Sequence, residues 1–171
     1  MPLIPPAAKI PLPIQETLGE HFVKMLGKGA SASKAKELKV KVGADAPRLV
    51  VAVWTDRHDR VAALCISELR LAAITGSALG MIPAATLSEI DPNAPLRQDL
   101  MENYYEVVNM TTPVLQKVQG TPRLKLAEMY THPNDELPQS VWDIINSAGQ
   151  RRDFDLTVEG YGSGKISILT R

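Results

Sequence analysis

Apolar and polar positions along the chain change period several times, and each change marks an element. Ile14, Leu18, Phe22, Met25 and Leu26 recur at helical spacing, and Gly27 stands where that helix would stop. The Gly-, Ala-, Ser- and Lys-rich tract from Gly27 to Lys36 predicts a loop. Leu38 to Val42 alternates as a strand, and Arg48 to Thr55 is a continuous apolar run of the buried type. Asp56 to Arg60 then predicts an exposed hairpin tip, and Val61 to Ile66 its return strand. Ser67 is the expected N-cap of a helix reaching about Met81, with Pro83 as its stop.

Ser88 to Pro95 predicts a loop, followed by a helix over Leu96 to Thr112 with Leu100, Tyr104, Val107, Val108 and Thr111 as its buried stripe. Arg123 to Met129 alternates as a strand, and Leu137 to Ala148 predicts a short helix ended by Gly149. Asp153 to Glu159 and Lys165 to Leu169 flank a Gly-rich turn and predict a terminal hairpin. The order is α, βββ, α, α, β, α, ββ. It predicts an α+β domain, an antiparallel or mixed sheet with two long helices packed on it.

Ahead of this domain, assigned to residues 14–171, the segment 1–13 carries Pro2, Pro5, Pro6, Pro11 and Pro13. That spacing excludes a signal-peptide helix and predicts an extended arm, mobile unless it docks. The uncharged stretch Leu71 to Ser88 is too polar for a membrane span. Its Gly76 and Gly80 predict instead a tight helix crossing inside the domain.

Composition narrows the chemistry. With 19 basic and 19 acidic residues the formal charge is zero, which argues against nucleic acid or a membrane surface as partner. Aromatic residues at 5% are too few for a base-stacking platform. Cys65 is the one cysteine, so no internal disulfide forms, and a cytoplasmic setting is expected. Its place in a strand predicts a buried, inert thiol. His21, His58 and His132 lie far apart and predict surface positions and no metal set. The run Gly160 to Lys165 lacks the P-loop spacing, because Glu159 and Ile166 occupy two of its required positions.

One face of the helix over Leu96 to Thr112 is not explained by packing. Glu102, Glu106 and Asn109 fall at i, i+4 and i+7 with Asp99 beside them, opposite the apolar stripe. Two like charges one turn apart cost a few tenths of a kcal/mol. By spacing alone this is a solvated face that ends near Thr112.

The segment Glu102 to Met110 (ENYYEVVNM) is similar to the signature helix of the CheC/CheX/FliY family of response-regulator phosphatases. That signature is an acidic or serine residue, three positions, Glu, two positions, Asn. Glu106 and Asn109 match its central Glu and Asn, and Glu102 stands where Asp or Ser is usual. The order of elements agrees from about Ile14 to Leu169. Pro113 departs from the glycine often found four residues after the Asn. The earlier helix has Glu68, Ala72 and Thr75 where a second motif would stand, which implies one site per protomer, as in CheX.

The resemblance implies a phosphatase acting on the phospho-aspartate of a CheY-type receiver domain. Asn109 would orient the attacking water, Glu106 would pair with the receiver's lysine, and Glu102 and Asp99 would face the partner. Mg²⁺ would come from the receiver, and the protein would need no cofactor of its own. Two alternatives stand beside it: a non-catalytic module of the same fold that binds a receiver or a flagellar switch, and an unrelated α+β domain with a wet helix face. A homodimer is expected, through a strand edge or the apolar arm from Ile4 to Ile14.

Overall fold

In the computed structural model, which describes residues 2–27 and 29–171, β2 (Leu49–Thr55) is buried along its whole length. A strand is buried on both faces only if layers cover both sides of its sheet. Six strands form that sheet: β1 (Ala30–Lys34), β2, β3 (Val61–Glu68), β4 (Lys125–His132), β5 (Gln150–Val158) and β6 (Gly162–Thr170). Every neighbouring pair is antiparallel, in the order β1-β5-β6-β3-β2-β4.

Alternation distributes the side chains to two cores. Val50, Ala52, Trp54, Ala63, Cys65, Ile166 and Ile168 face one side, where they meet α1 (Gln15–Leu26), α2 (Leu69–Leu79) and α3 (Gln98–Asn109). Leu49, Val51, Val53, Leu64, Ile66 and Leu169 face the other, covered by α5 (Gln139–Asn146) through Val141 and Ile144, and by Leu38. A 3₁₀ turn, Ala84–Glu89, links α2 to α3, and a short helix α4 (Thr112–Gln116) follows α3.

The strand expected at Leu38 to Val42 does not form, and β1 lies instead in the tract read as a loop. Leu38 and the half-buried Val40 pack on α5's side of the sheet, and the Asp153, Arg151 and His132 side chains bond the backbone at Leu38 and Lys41, so the segment is anchored without a ladder. β1 is built from Ala and Ser, and its backbone pairs along β5 from Ala30↔Val158 to Lys34↔Phe154. Small residues suit it because α1 packs on it, with Gly19 within 3.8 Å of Ala32 at the Cβ position.

Ser67 does not cap α2. It is a buried β3 residue paired with Ile166 of β6, and α2 begins directly after Glu68, which makes no side-chain cap bond. The hairpin tip is also less exposed than its charges suggest. Asp56 is 4% exposed and accepts bonds from the His58 and Arg60 amides and from the Arg60 and Arg171 guanidiniums. Burial alone would raise its pKa, but these donors together outweigh burial and hold the carboxyl well below the usual range.

The proline-rich segment docks on the domain. The Thr170 hydroxyl donates to the Ile10 carbonyl at 2.7 Å, Leu12 N–H to Gln150 Oε1 at 2.8 Å, and Arg171 Nε to the Ala8 carbonyl at 2.9 Å. Ile10 and Leu12 join the core, while Leu3, Ile4 and Ile14 of the same segment stay exposed.

Candidate functional site on α3

α3 is the amphipathic helix its pattern predicts. Leu100, Tyr104, Val107 and Val108 are buried, while Asp99, Glu102, Glu106 and Asn109 are all exposed. It starts two residues later than expected and ends three earlier, at Asn109. Pro113 explains the end. It lies in the first turn of α4, where its missing N–H costs nothing, and Thr111 is the N-cap of that helix. Asn109 keeps helical geometry, since the Met110 N–H still reaches the Glu106 carbonyl at 2.9 Å.

Buried polar contacts fix this junction. The Trp54 indole N–H donates to Thr112 Oγ1 at 2.8 Å, and His21 Nε2 lies 3.0 Å from Thr111 Oγ1. The latter hydroxyl also reaches back to the Val107 carbonyl at 3.3 Å. The end of α3 carrying Asn109 is therefore tied to β2 and to α1.

The other side of α3 is set by α2. A Cβ on Gly76 would stand 2.9 Å from the Leu100 carbonyl oxygen and 3.3 Å from the Tyr104 nitrogen. Gly80 is seated as tightly on the Asn103 side-chain amide. The two glycines make the close crossing that their spacing predicts. Beneath it the Tyr104 hydroxyl is 3.7 Å from Cys65 Sγ. Burial raises the Tyr104 pKa and pushes the Cys65 thiol up to about 12, so the cysteine is an inert core residue.

On the exposed face the four acidic and amide side chains differ. Asp99 is held by Arg97 in a two-pronged pair at 3.1 and 3.0 Å, which lowers its pKa. Glu102 accepts a bond from Gln98 Nε2 at 2.8 Å. Glu106 and Asn109 make no side-chain hydrogen bond or ion pair among the described residues. They sit one turn apart with free donor and acceptor capacity. Among the described residues, the best-formed surface cavities, of 150 to 640 Å³, lie elsewhere, and none of these is lined by Glu102, Glu106 or Asn109. The site is a convex helix face, suited to another macromolecule and not to an enclosed small ligand.

The positions aligned with a second motif are unusable. Ala72 and Thr75 are fully buried, and Thr75 Oγ1 donates back to the Leu71 carbonyl at 3.0 Å. Of the histidines, His132 is buried, with Nε2 2.6 Å from the Lys41 carbonyl and an edge-on contact to Trp142, contrary to its expected surface position. His21 is half-buried. Among the described residues no group of three His, Cys, Asp or Glu side chains is placed to hold a metal ion. No helix among them is long and apolar enough to cross a membrane.

Pattern reading missed the apolar rim of this face. Met81 is 87% exposed, Met110 44% and Tyr105 36%. Met81 also has φ +53°, a left-handed conformation that costs a side-chain-bearing residue about 1–2 kcal/mol. A signal for it exists in the sequence. The glycine that usually follows a helix in that conformation stands one position early, at Gly80.

No family model and no curated protein matches this chain. Solved structures do. FliM from H. pylori, in a FliM–SpeE complex, matches with a TM-score of 0.58 at 9% identity, over 91% of this chain and 80% of that one. The FliM middle domain from Vibrio alginolyticus matches with a TM-score of 0.55 at 14% identity, over 91% and 87%. FliY from Thermotoga maritima matches with 0.55 at 13% identity, over 91% and 88%. At such identities the likeness is one of fold, and it agrees with the antiparallel sheet and its packed helices described above. This chain has the fold of the FliM middle domain and of FliY.

Proposed function

We propose that the exposed face of α3 docks on a phosphorylated receiver domain and hydrolyses its aspartyl phosphate. The observation that carries the reading is the pair Glu106 and Asn109, side by side on a fixed helix, exposed and unspent within their own chain. A receiver already holds its phospho-aspartate on Mg²⁺ and a lysine, so the phosphatase need only place water in line with phosphorus. A carboxamide both donates and accepts, so Asn109 orients that water without competing for its charge. Glu106 pairs with the receiver's lysine and sets the docking register. Glu102 adds negative charge beside it, while Asp99, already paired with Arg97, contributes less.

Misplacement by about 1 Å costs on the order of 10²-fold, so the ties of Thr111 and Thr112 to His21 and Trp54 belong to the function. Asn109→Ala is expected to slow receiver dephosphorylation at least ~100-fold and leave complex formation intact. Decay of phosphorylated receivers, with wild type and mutant, reads both. Hydrolysis retained by Asn109→Ala would exclude this mechanism.

The second reading is capture of a receiver or switch component without hydrolysis. It is favoured by the fold shared with FliM, which in the H. pylori structure is in complex with SpeE. It predicts binding to an activated receiver with no change in its decay rate. A homodimer is compatible with either reading. Ile10 and Leu12 are spent within the chain, so the exposed Ile4 and Ile14 and the sheet edges at β1 and β4 are the surfaces open to it.

A further inference from the structure

We infer that Met81 is the apolar anchor by which the α3 face grips its receiver, a role that rests on the reading of α3 given above. The C-terminus of α2 is a Schellman turn: the Ile82 N–H reaches the Ser77 carbonyl at 2.9 Å and the Met81 N–H reaches that of Ala78 at 3.3 Å. In this turn the residue at position 81 must be left-handed, and glycine is the residue that takes that conformation without strain. Methionine holds the position although its side chain is 87% exposed and belongs to neither hydrophobic core. Neither the backbone nor the fold's interior has a use for it.

Its position relative to α3 gives it one. Gly80 is pressed on the Asn103 amide, and the Met81 Cα lies about 3.8 Å further along the chain. Asn103 shares a helix flank with Glu106 and Met110, one and two turns on. Met81 therefore emerges on the α2 side of the polar pair, on the flank of α3 that also carries Met110 two turns beyond Asn103, while Tyr105 borders the pair on the far side. Methionine and tyrosine are enriched in specific protein interfaces, where they supply apolar contact beside the polar groups that fix register. An unbranched thioether adapts to a partner's surface, so the strain at Met81 is offset by contact made only in the complex.

The occupant follows from the same face. Glu106 and Glu102 select a partner presenting a lysine, and the apolar surface around that lysine is what Met81 would cover. The test uses purified receiver domains loaded with Mg²⁺ and activated with beryllofluoride for binding, and phosphorylated for turnover. Met81→Gly relieves the turn and is expected to melt at or above the wild-type temperature. It is expected to weaken receiver binding and raise KM about tenfold at unchanged kcat. Met81→Asn, which also tolerates the left-handed conformation, should lose the same affinity, and Met81→Leu should restore it. Wild-type affinity in Met81→Gly, with Asn109→Ala inactive, would overturn the anchor and leave the α3 reading standing. Failure of the wild type to bind any activated receiver would overturn both.

Discussion

α2 and α3 lie against each other on one side of the same sheet, yet one is consumed by the fold and the other is left free to act. α2 is buried from Leu71 to Ser77 without a break. Sheet, α1 and α3 surround it, and its glycines let α3 approach to backbone contact. α3 receives that contact on one flank and keeps its Glu102, Glu106 and Asn109 side in water. A helix covered all round carries only packing. A helix covered on one side carries packing and a message, and the covered neighbour is what holds the message still.

Breaking the crossing should have the largest effect. Gly76→Val places a branched side chain against the Leu100 backbone, where no rotamer relieves the overlap. A loss of about 3 kcal/mol is expected, read by urea denaturation, with receiver activity falling as α3 shifts. Asn109→Ala sharpens the same contrast from the other helix. Its activity loss of at least ~100-fold should come with an unchanged melting temperature, because the side chain is exposed and unpartnered.

Trp54→Phe probes the anchor between them. It removes the donor to Thr112 Oγ1, and a buried hydroxyl left short of its partner costs about 1–2 kcal/mol. In a domain of this length that lowers Tm by roughly 2–4 °C per kcal/mol. The smallest expected effect has the opposite sign. Glu102→Gln relieves like-charge repulsion with Glu106 one turn away and should stabilise by about 0.2–0.5 kcal/mol. A scan of Tm at low salt detects it, and high salt should erase it.

The contrast between the helices was written in the sequence because it is a matter of period. The apolar stripe from Leu100 to Val108 and the glycines at 76 and 80 each act on a neighbour through a fixed helical repeat, so both were legible. The buried runs of β2 and β3 were legible for the same reason. β1 was not. Ala30 to Lys34 has no hydrophobic pattern, since what recruits it is the free backbone edge of β5, sixscore residues away in sequence. Leu38 to Val42 had the pattern and lacked a partner strand. Ser67 had the chemistry of a cap, but β3 continued through it to Glu68. The exposure expected of Asp56 fails in part because one of its partners, Arg171, lies at the far end of the chain. In the site, Glu106 and Asn109 were legible as a spacing, while Met81 was signalled only by the glycine standing one position early at Gly80, its left-handed angle coming from the turn itself.

The strand order has one more implication, for the protein's life on the ribosome. β1 and β5 make one half of the sheet, β3, β2 and β4 the other, and β6 is the single strand that bonds to both. As the last of the strands to be synthesised, it is the closing seam. Until residues 162–170 clear the exit tunnel, β3 and β5 both present open edges along the middle of the unfinished sheet. Nascent chains should stay dependent on chaperones until this strand is available, and premature termination ahead of Gly162 should yield an aggregating fragment and no partly working site.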